Sequence, residues 1–263
     1  MLKKLLKYDL KKIFKFLIIF YCLAIFFGVL TRIFFSIENS LIMNIIGQIC
    51  NGASISMMFS ILINNLMRTW VDFKHNLYGD ESYLTHTLPV EKQTLYKSKI
   101  LTAIITLFTS VVVVALTIFI AHYSKENLEL LKNLLLPVAN AYGSTMIKLV
   151  LAILFICFLE IANILQSGFT GIILGHQKNN SKTGYSVLFG FCTYMITQIF
   201  AVSILLFAAL FNSDIMNLFI TKDIINIEMI KVIFYLSSFV YITSCIILYI
   251  INIKLFKQGV NVD

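Results

Sequence analysis

The sequence predicts an all-α membrane protein: six transmembrane helices, an N-terminal amphipathic interfacial helix and a cytoplasmic helix between the second and third spans. Three observations carry this. Of 263 residues, 59% are hydrophobic and 13% charged, about half the charged share of an average soluble domain. The mean hydropathy is +0.88. Six apolar runs each reach the roughly 20 residues needed to cross a hydrocarbon core of about 30 Å. With 23 Phe and 2 Pro the composition excludes a disordered chain, and the length left outside six spans excludes a separate catalytic domain. The chain therefore reads as one transmembrane domain over 1–263.

Residues 1–15 open the chain. Lys4, Lys7, Lys11 and Lys15 fall on one helical face and Leu2, Leu5, Leu6, Leu10 and Ile13 on the other, the pattern of a helix lying in the membrane plane against anionic head groups. A basic tail that only sets orientation is the other reading. A cleaved signal peptide is disfavoured, because the apolar run that follows is too long and lacks a small-residue cleavage site. The spans then fall at 16–35, 41–67, 100–121, 147–174, 185–211 and 232–253.

Six spans place both termini on one side, together with the connections 68–99 and 175–184. That side holds fifteen of the 21 Lys and Arg residues and is predicted to be cytoplasmic by the positive-inside rule. The formal net charge of +8 is thus a topology signal, and no nucleic-acid partner is expected.

The connection 68–99 is too long for a simple turn. Gly79 breaks the chain, Asp80 is placed to cap a short helix, and Glu81 favours its N-terminal dipole. Tyr83, Leu84 and Leu88 give this helix of about two turns an apolar surface, which either docks a partner or covers the end of the bundle. Pro89 ends the helix and is expected in the first turn of the next one. The segment 212–231 is apolar enough to re-enter the membrane from the outside, or to lie along its surface.

Chemistry-bearing motifs are absent. There is no phosphate-binding loop, zinc motif, nucleophile elbow or dinucleotide fingerprint, so the chain is not expected to be an enzyme. Cys22, Cys50, Cys157, Cys192 and Cys245 lie in apolar runs without metal-ligand spacing and read as buried small hydrophobes. His75, His86, His122 and His176 read as solvated loop residues, and no metal site is expected. Gly168, Gly171 and Gly175 mark close helix packing.

Two polar strips lie inside spans. Glu160, Asn163 and Gln166 slant along the fourth, and Asn44, Gln48 and Asn51 along the second. A carboxyl at mid-membrane depth costs about 2.5–3.5 kcal/mol on insertion scales, so these residues face protein or water. They line a translocation path or subunit interface, or they are interhelical hydrogen-bonding glue.

The run GDESYLTHTLPVEKQTLYKSKI, residues 79–100, resembles the coupling-helix segment of type-2 ABC exporter permeases. The run GIILGHQKNNSKTG, residues 171–184, is similar to the end of the fourth span in short Firmicutes permeases of that kind. With six spans and the basic N-terminal helix, the resemblance covers essentially the whole chain. It implies a permease subunit of the bacterial cytoplasmic membrane, paired with a second permease subunit as homodimer or heterodimer. Separate ABC ATPase subunits would bind ATP and Mg, and this chain would hold no cofactor. Asp80, Glu81, Tyr83, Leu84, Leu88 and Pro89 would dock in the ATPase, and the cargo would be an amphipathic peptide, drug or lipid-like molecule moved outward. A gradient-driven carrier using Glu160 and a non-transporting immunity or sensor protein are the alternatives.

Overall fold

The computed structural model describes residues 1–37, 40–141, 143, 145–211, 216 and 227–258, apart from the side chains of 125, 141 and 227–231. All regular structure among them is helical. In chain order the helices are α1 Leu2–Phe35, α2 Leu41–Leu77, α3 Ser82–Thr87, α4 Lys92–His122, α5 Lys125–Ala141, α6 Met146–Gly175, α7 Lys182–Phe211 and α8 Ile227–Gln258. Six of these, α1, α2, α4, α6, α7 and α8, are long and apolar enough to cross a membrane. Most of the segment 212–231, expected to re-enter or skirt the membrane, lies outside the described residues.

By its contacts the chain divides into two compact units, Met1–Leu130 and Leu131–Asp263. In the first, α1, α2 and α4 pack against one another, with α3 attached to α2. In the second, α6 packs on both α7 and α8. Each half closes three long helices around its own core, and the boundary falls inside α5.

Helix lengths in the first unit exceed what the apolar runs suggest. At about 1.5 Å per residue, α1, α2 and α4, with 34, 37 and 31 residues, are about 51, 55 and 46 Å long, against a hydrocarbon core of about 30 Å. The excess lies at the end carrying the N terminus: the first fifteen residues of α1 hold six lysines, α2 runs ten residues past Met67, and α4 begins eight residues before Ile100. This end has its own apolar centre. Phe73, Leu77, Tyr78, Leu95 and Tyr96 are all buried, with the Phe73 ring 6.1 Å from Tyr96 and 6.3 Å from Tyr78.

The expected turn between an in-plane helix 1–15 and the first span is absent. α1 runs unbroken because no Gly or Pro interrupts it before Gly28, and because the face opposite the lysine row is taken up by protein. Ile13 and Leu17 are buried, and Asp9 and Lys12 bond to α2 and α4. Lys4, Lys7, Lys11 and Lys15 are exposed, as their row requires.

Deeper in the first unit, Ser110 of α4 joins all three helices. It accepts a hydrogen bond from Asn65 Nδ2 of α2 at 2.8 Å and shares one with the Tyr21 hydroxyl of α1 at 2.8 Å. In the second unit, Gly171 and Gly175 of α6 lie directly on Gly190 and Ser186 of α7, where no Cβ fits. This is the close packing expected of the glycine run. α5 was not foreseen in the stretch between spans three and four; it carries exposed Leu130, Leu131 and Leu134 and contains Pro137.

Two expectations, one about a histidine and one about the cysteines, change. His176 is buried at the C-cap of α6, its Nδ1 2.8 Å from the Ile172 carbonyl, which also accepts the His176 backbone N–H at 3.1 Å. Of the five free cysteines, Cys50 is buried and Cys245 half-buried, whereas Cys22, Cys157 and Cys192 are exposed on helix faces, so most of them are not core residues.

Candidate functional site

The short helix and its supports. α2 ends at Leu77 because the Tyr78 and Gly79 amides both turn back to the Lys74 carbonyl, at 2.9 and 3.1 Å. A Cβ on Gly79 would sit 3.2 Å from the His75 carbonyl oxygen, so the tight reversal favours glycine. The helix that follows is six residues long, rather less than the expected two turns. Its N-cap is Glu81 rather than Asp80, and no side chain caps it. The reason is that the Glu81 carboxylate is occupied elsewhere, 3.4 Å from Lys12 Nζ and 3.5 Å from His75 Nδ1. Asp80 is exposed.

At the other end Pro89 pushes Leu88 into an extended conformation (φ −62°, ψ 137°) and so stops the helix. The Val90 amide folds back to the Leu88 carbonyl at 2.7 Å. Pro89 therefore lies three residues ahead of Lys92, the first residue of α4, and not in its first turn. His86, to which the sequence assigns no role, fastens α3 to α2 through Nε2, 3.1 Å from the Leu77 carbonyl. With α3 so held, Tyr83 and Leu84 point outward, 66% and 74% exposed, and Leu88 is exposed beside them.

The ion-pair network. Behind α3 lies a cluster not anticipated from the sequence. Asp72 of α2 is 2% exposed, yet three polar groups surround its carboxylate. Lys12 of α1 lies 2.9 Å from Oδ1, and Lys99 of α4 and Asn76 of α2 donate to Oδ2 at 2.9 and 2.8 Å. Lys99 also donates to Asp9 Oδ1 at 2.8 Å, and Ser98 to Asp9 Oδ2 at 3.2 Å. The contacts close a ring from Glu81 through Lys12, Asp72 and Lys99 to Asp9, back on α1.

Lys12 and Asp72 lie outside the apolar stretches that cross the membrane. Burial works against the Asp72 carboxylate, but the Lys99 charge and the hydrogen bonds from Lys12 and Lys99 outweigh it and hold its pKa below the ordinary value. Lys12 shifts the other way: burial opposes its charge, Asp72 and Glu81 outweigh that, and its pKa is raised.

The polar strips. Glu160 of α6 turns to α7, its Oε1 accepting from the Tyr194 hydroxyl at 2.8 Å and Gln198 Nε2 at 3.0 Å. Tyr241 of α8 interacts with the same carboxyl. Asn163 is buried and donates to Thr197 Oγ1 at 2.9 Å. Gln166 is buried too, and its backbone carbonyl accepts from Asn252 Nδ2 of α8 at 3.4 Å. This strip therefore points into its own three-helix unit and hydrogen-bonds α6 to α7 and α8. On α2 the other strip is split: Asn44 and Gln48 are exposed, and Asn51 is half-buried with its Oδ1 enclosed. The structure does not bring the two strips together within one unit. Among the described residues, no cluster of His, Cys, Asp and Glu is arranged to hold a metal ion.

Comparison of the chain with protein-family profiles, with curated proteins and with solved structures finds no match.

Proposed function

We propose that the chain is the membrane-spanning permease subunit of an ATP-driven exporter of the type-2 ABC class. One observation carries this reading. α3 presents Tyr83 and Leu84 to the outside from a segment fastened at Glu81 and His86, a rigidly backed apolar projection of the kind that fills a groove on a partner. The partner is a separate ATPase that binds ATP and Mg, and the side carrying α3 and both termini is cytoplasmic. The exposed row Lys4, Lys7, Lys11 and Lys15 lies along anionic head groups of a bacterial cytoplasmic membrane. Asn44 and Gln48, exposed on a spanning helix, face a second permease subunit or the transport route, since lipid offers them no hydrogen bonds. The cargo class is an amphipathic peptide, drug or lipid-like molecule.

The test is Leu84→Arg, which sets a charge against an apolar groove. The tagged wild-type chain, purified from its own membrane, brings down a chain with a phosphate-binding loop and ATPase activity, and the variant loses it while staying in the membrane at wild-type levels. An ATPase retained in the variant removes α3 from docking. No ATPase with the wild type leaves the gradient-driven carrier, whose support is the Glu160 carboxyl held by Tyr194 and Gln198 inside a spanning unit.

A further inference from the structure

We propose that Lys12 carries a displacement of α3 into the three long helices of its unit, through its paired contacts with Glu81 and Asp72. The inference rests on the exporter reading for the source of the displacement, an ATPase seated on Tyr83 and Leu84.

The argument starts from connectivity. α3 is joined along the backbone to α2 by Tyr78–Glu81 and to α4 by Leu88–Glu91, four residues on each side. Neither link reaches α1, which is 69 positions away in the chain at the Lys12–Glu81 contact. Lys12 bridges that gap with one ammonium, placed 3.4 Å from Glu81 and 2.9 Å from Asp72. Whatever pulls on Glu81 therefore pulls on a side chain that is also tied into α2.

The second step is the gradient of burial along the ring. Lys12 and Glu81 are both partly exposed, their side chains at 38% and 44%, so the pair is weak by itself, and what holds it is the second contact of each member, Lys12 with the enclosed Asp72 and Glu81 with His75. The Asp72–Lys99 and Lys99–Asp9 pairs are enclosed, and separating them would strand a charge away from water. The outer contact is thus anchored, through Lys12, to inner pairs that stay closed. Asp9 and Lys12 stand three residues apart on one face of α1, so the ring returns to the helix it left. α1, α2 and α4 are clamped at one level, and a displacement entering at Lys12 is shared among all three. Lys12 is a positioning residue, acting through Glu81 and Asp72.

The experiment uses the full chain together with the ATPase that co-purifies with it, reconstituted in vesicles. Lys12→Gln keeps the ATPase bound but lowers the stimulation of ATP hydrolysis that the membrane chain gives over the free ATPase at least about tenfold, and Lys12→Arg restores it to within about twofold of the wild type. Glu81→Ala in the same assay gives the same loss, and the double variant loses no more than either single one, because both act on one contact. A parallel measurement needs no ATPase: amide hydrogen exchange over residues 82–87 rises in Lys12→Gln and returns to the wild-type rate in Lys12→Arg. If the ATPase stays bound and stimulation in Lys12→Gln and Glu81→Ala matches the wild type, this inference is overturned and the exporter reading stands. If no ATPase accompanies the wild type, the exporter reading fails and this inference falls with it.

Discussion

Lys99 of α4 meets Asp72 of α2 at 2.9 Å in the interior of the first unit, with the Asp72 side chain 1% and the Lys99 side chain 10% exposed. A charge pair so enclosed holds only while both members are present. Asp72→Asn leaves Lys99 with Asp9 alone, and the variant is expected to lose roughly 2–4 kcal/mol of stability. The check is thermal unfolding of the purified chain in detergent. The pH dependence has a defined sign: the Asp72 pKa is lowered on folding, so its contribution is complete above the ordinary carboxylate value near about 4. It is lost as pH falls through the lower folded value. Asp72→Asn therefore flattens the acid side of the stability profile.

The glycines make a contrasting pair. A methyl group at Gly171 would run into the backbone of Gly190 and Ser186, whereas one at Gly52 meets nothing within 4 Å. Gly171→Ala is expected to cost about 1–3 kcal/mol through forced separation of α6 and α7. Gly52→Ala is expected to be neutral or slightly stabilising, since alanine is the better helix former by about 1 kcal/mol. Unfolding midpoints of the two variants, measured side by side, check this.

Glu160 distinguishes an acceptor from a charge. Its Oε1 receives both the Tyr194 and Gln198 hydrogen bonds, and Glu160→Gln keeps an oxygen to receive them. That variant is expected to stay within about 1 kcal/mol of the wild type, while Glu160→Leu strands two donors and costs about 1–3 kcal/mol. Equal stability in all three proteins would show that these bonds contribute nothing to α6–α7 packing. Transport in reconstituted vesicles across pH, run on the same two variants, separates a structural from a transporting carboxyl.

Leu84 belongs to the surface of the isolated chain at 74% exposure. Leu84→Arg is accordingly expected to change the stability of the purified chain by less than about 0.5 kcal/mol. A melting temperature equal to the wild type, alongside loss of the ATPase, assigns the defect to docking and not to folding.

How much of this is legible in the sequence depends on range. The spans are local in origin, and α6, α7 and the start of α2 fall within a few residues of the apolar runs. The extension of α2 to Leu77 hides because reading for uninterrupted apolar length stops at Arg68. The helical signal continues in Thr69, Asp72, Phe73 and Leu77, buried at spacings of three and four. A polar residue in such a row looks like an end of the helix until its partner is known. Lys12 meets Asp72 at a sequence separation of 60, and Asp72 meets Lys99 at one of 27, and nothing local in their segments signals it. α5 does have a readable period in Leu128, Leu131, Leu135 and Val138, obscured by its place in a connection. The exposed Tyr83 and Leu84 follow directly from local breakers, Gly79 on one side and Pro89 on the other. The capping role of Asp80 does not survive: the N-cap is Glu81, whose carboxylate answers to a lysine 69 residues earlier.

The unbroken course of α1 has a mechanical corollary. Twenty residues above Lys12, the same helix carries Arg32, whose guanidinium stands 5.4 Å from the centre of the Tyr123 ring at the far end of α4. Twenty residues of continuous helix make a strut of about 30 Å, as long as the hydrocarbon layer is thick. An unbroken strut of this kind is expected to transmit a displacement of its lysine-rich foot to its head against Tyr123, so that the two ends of the spanning helix answer to one another along a single rod.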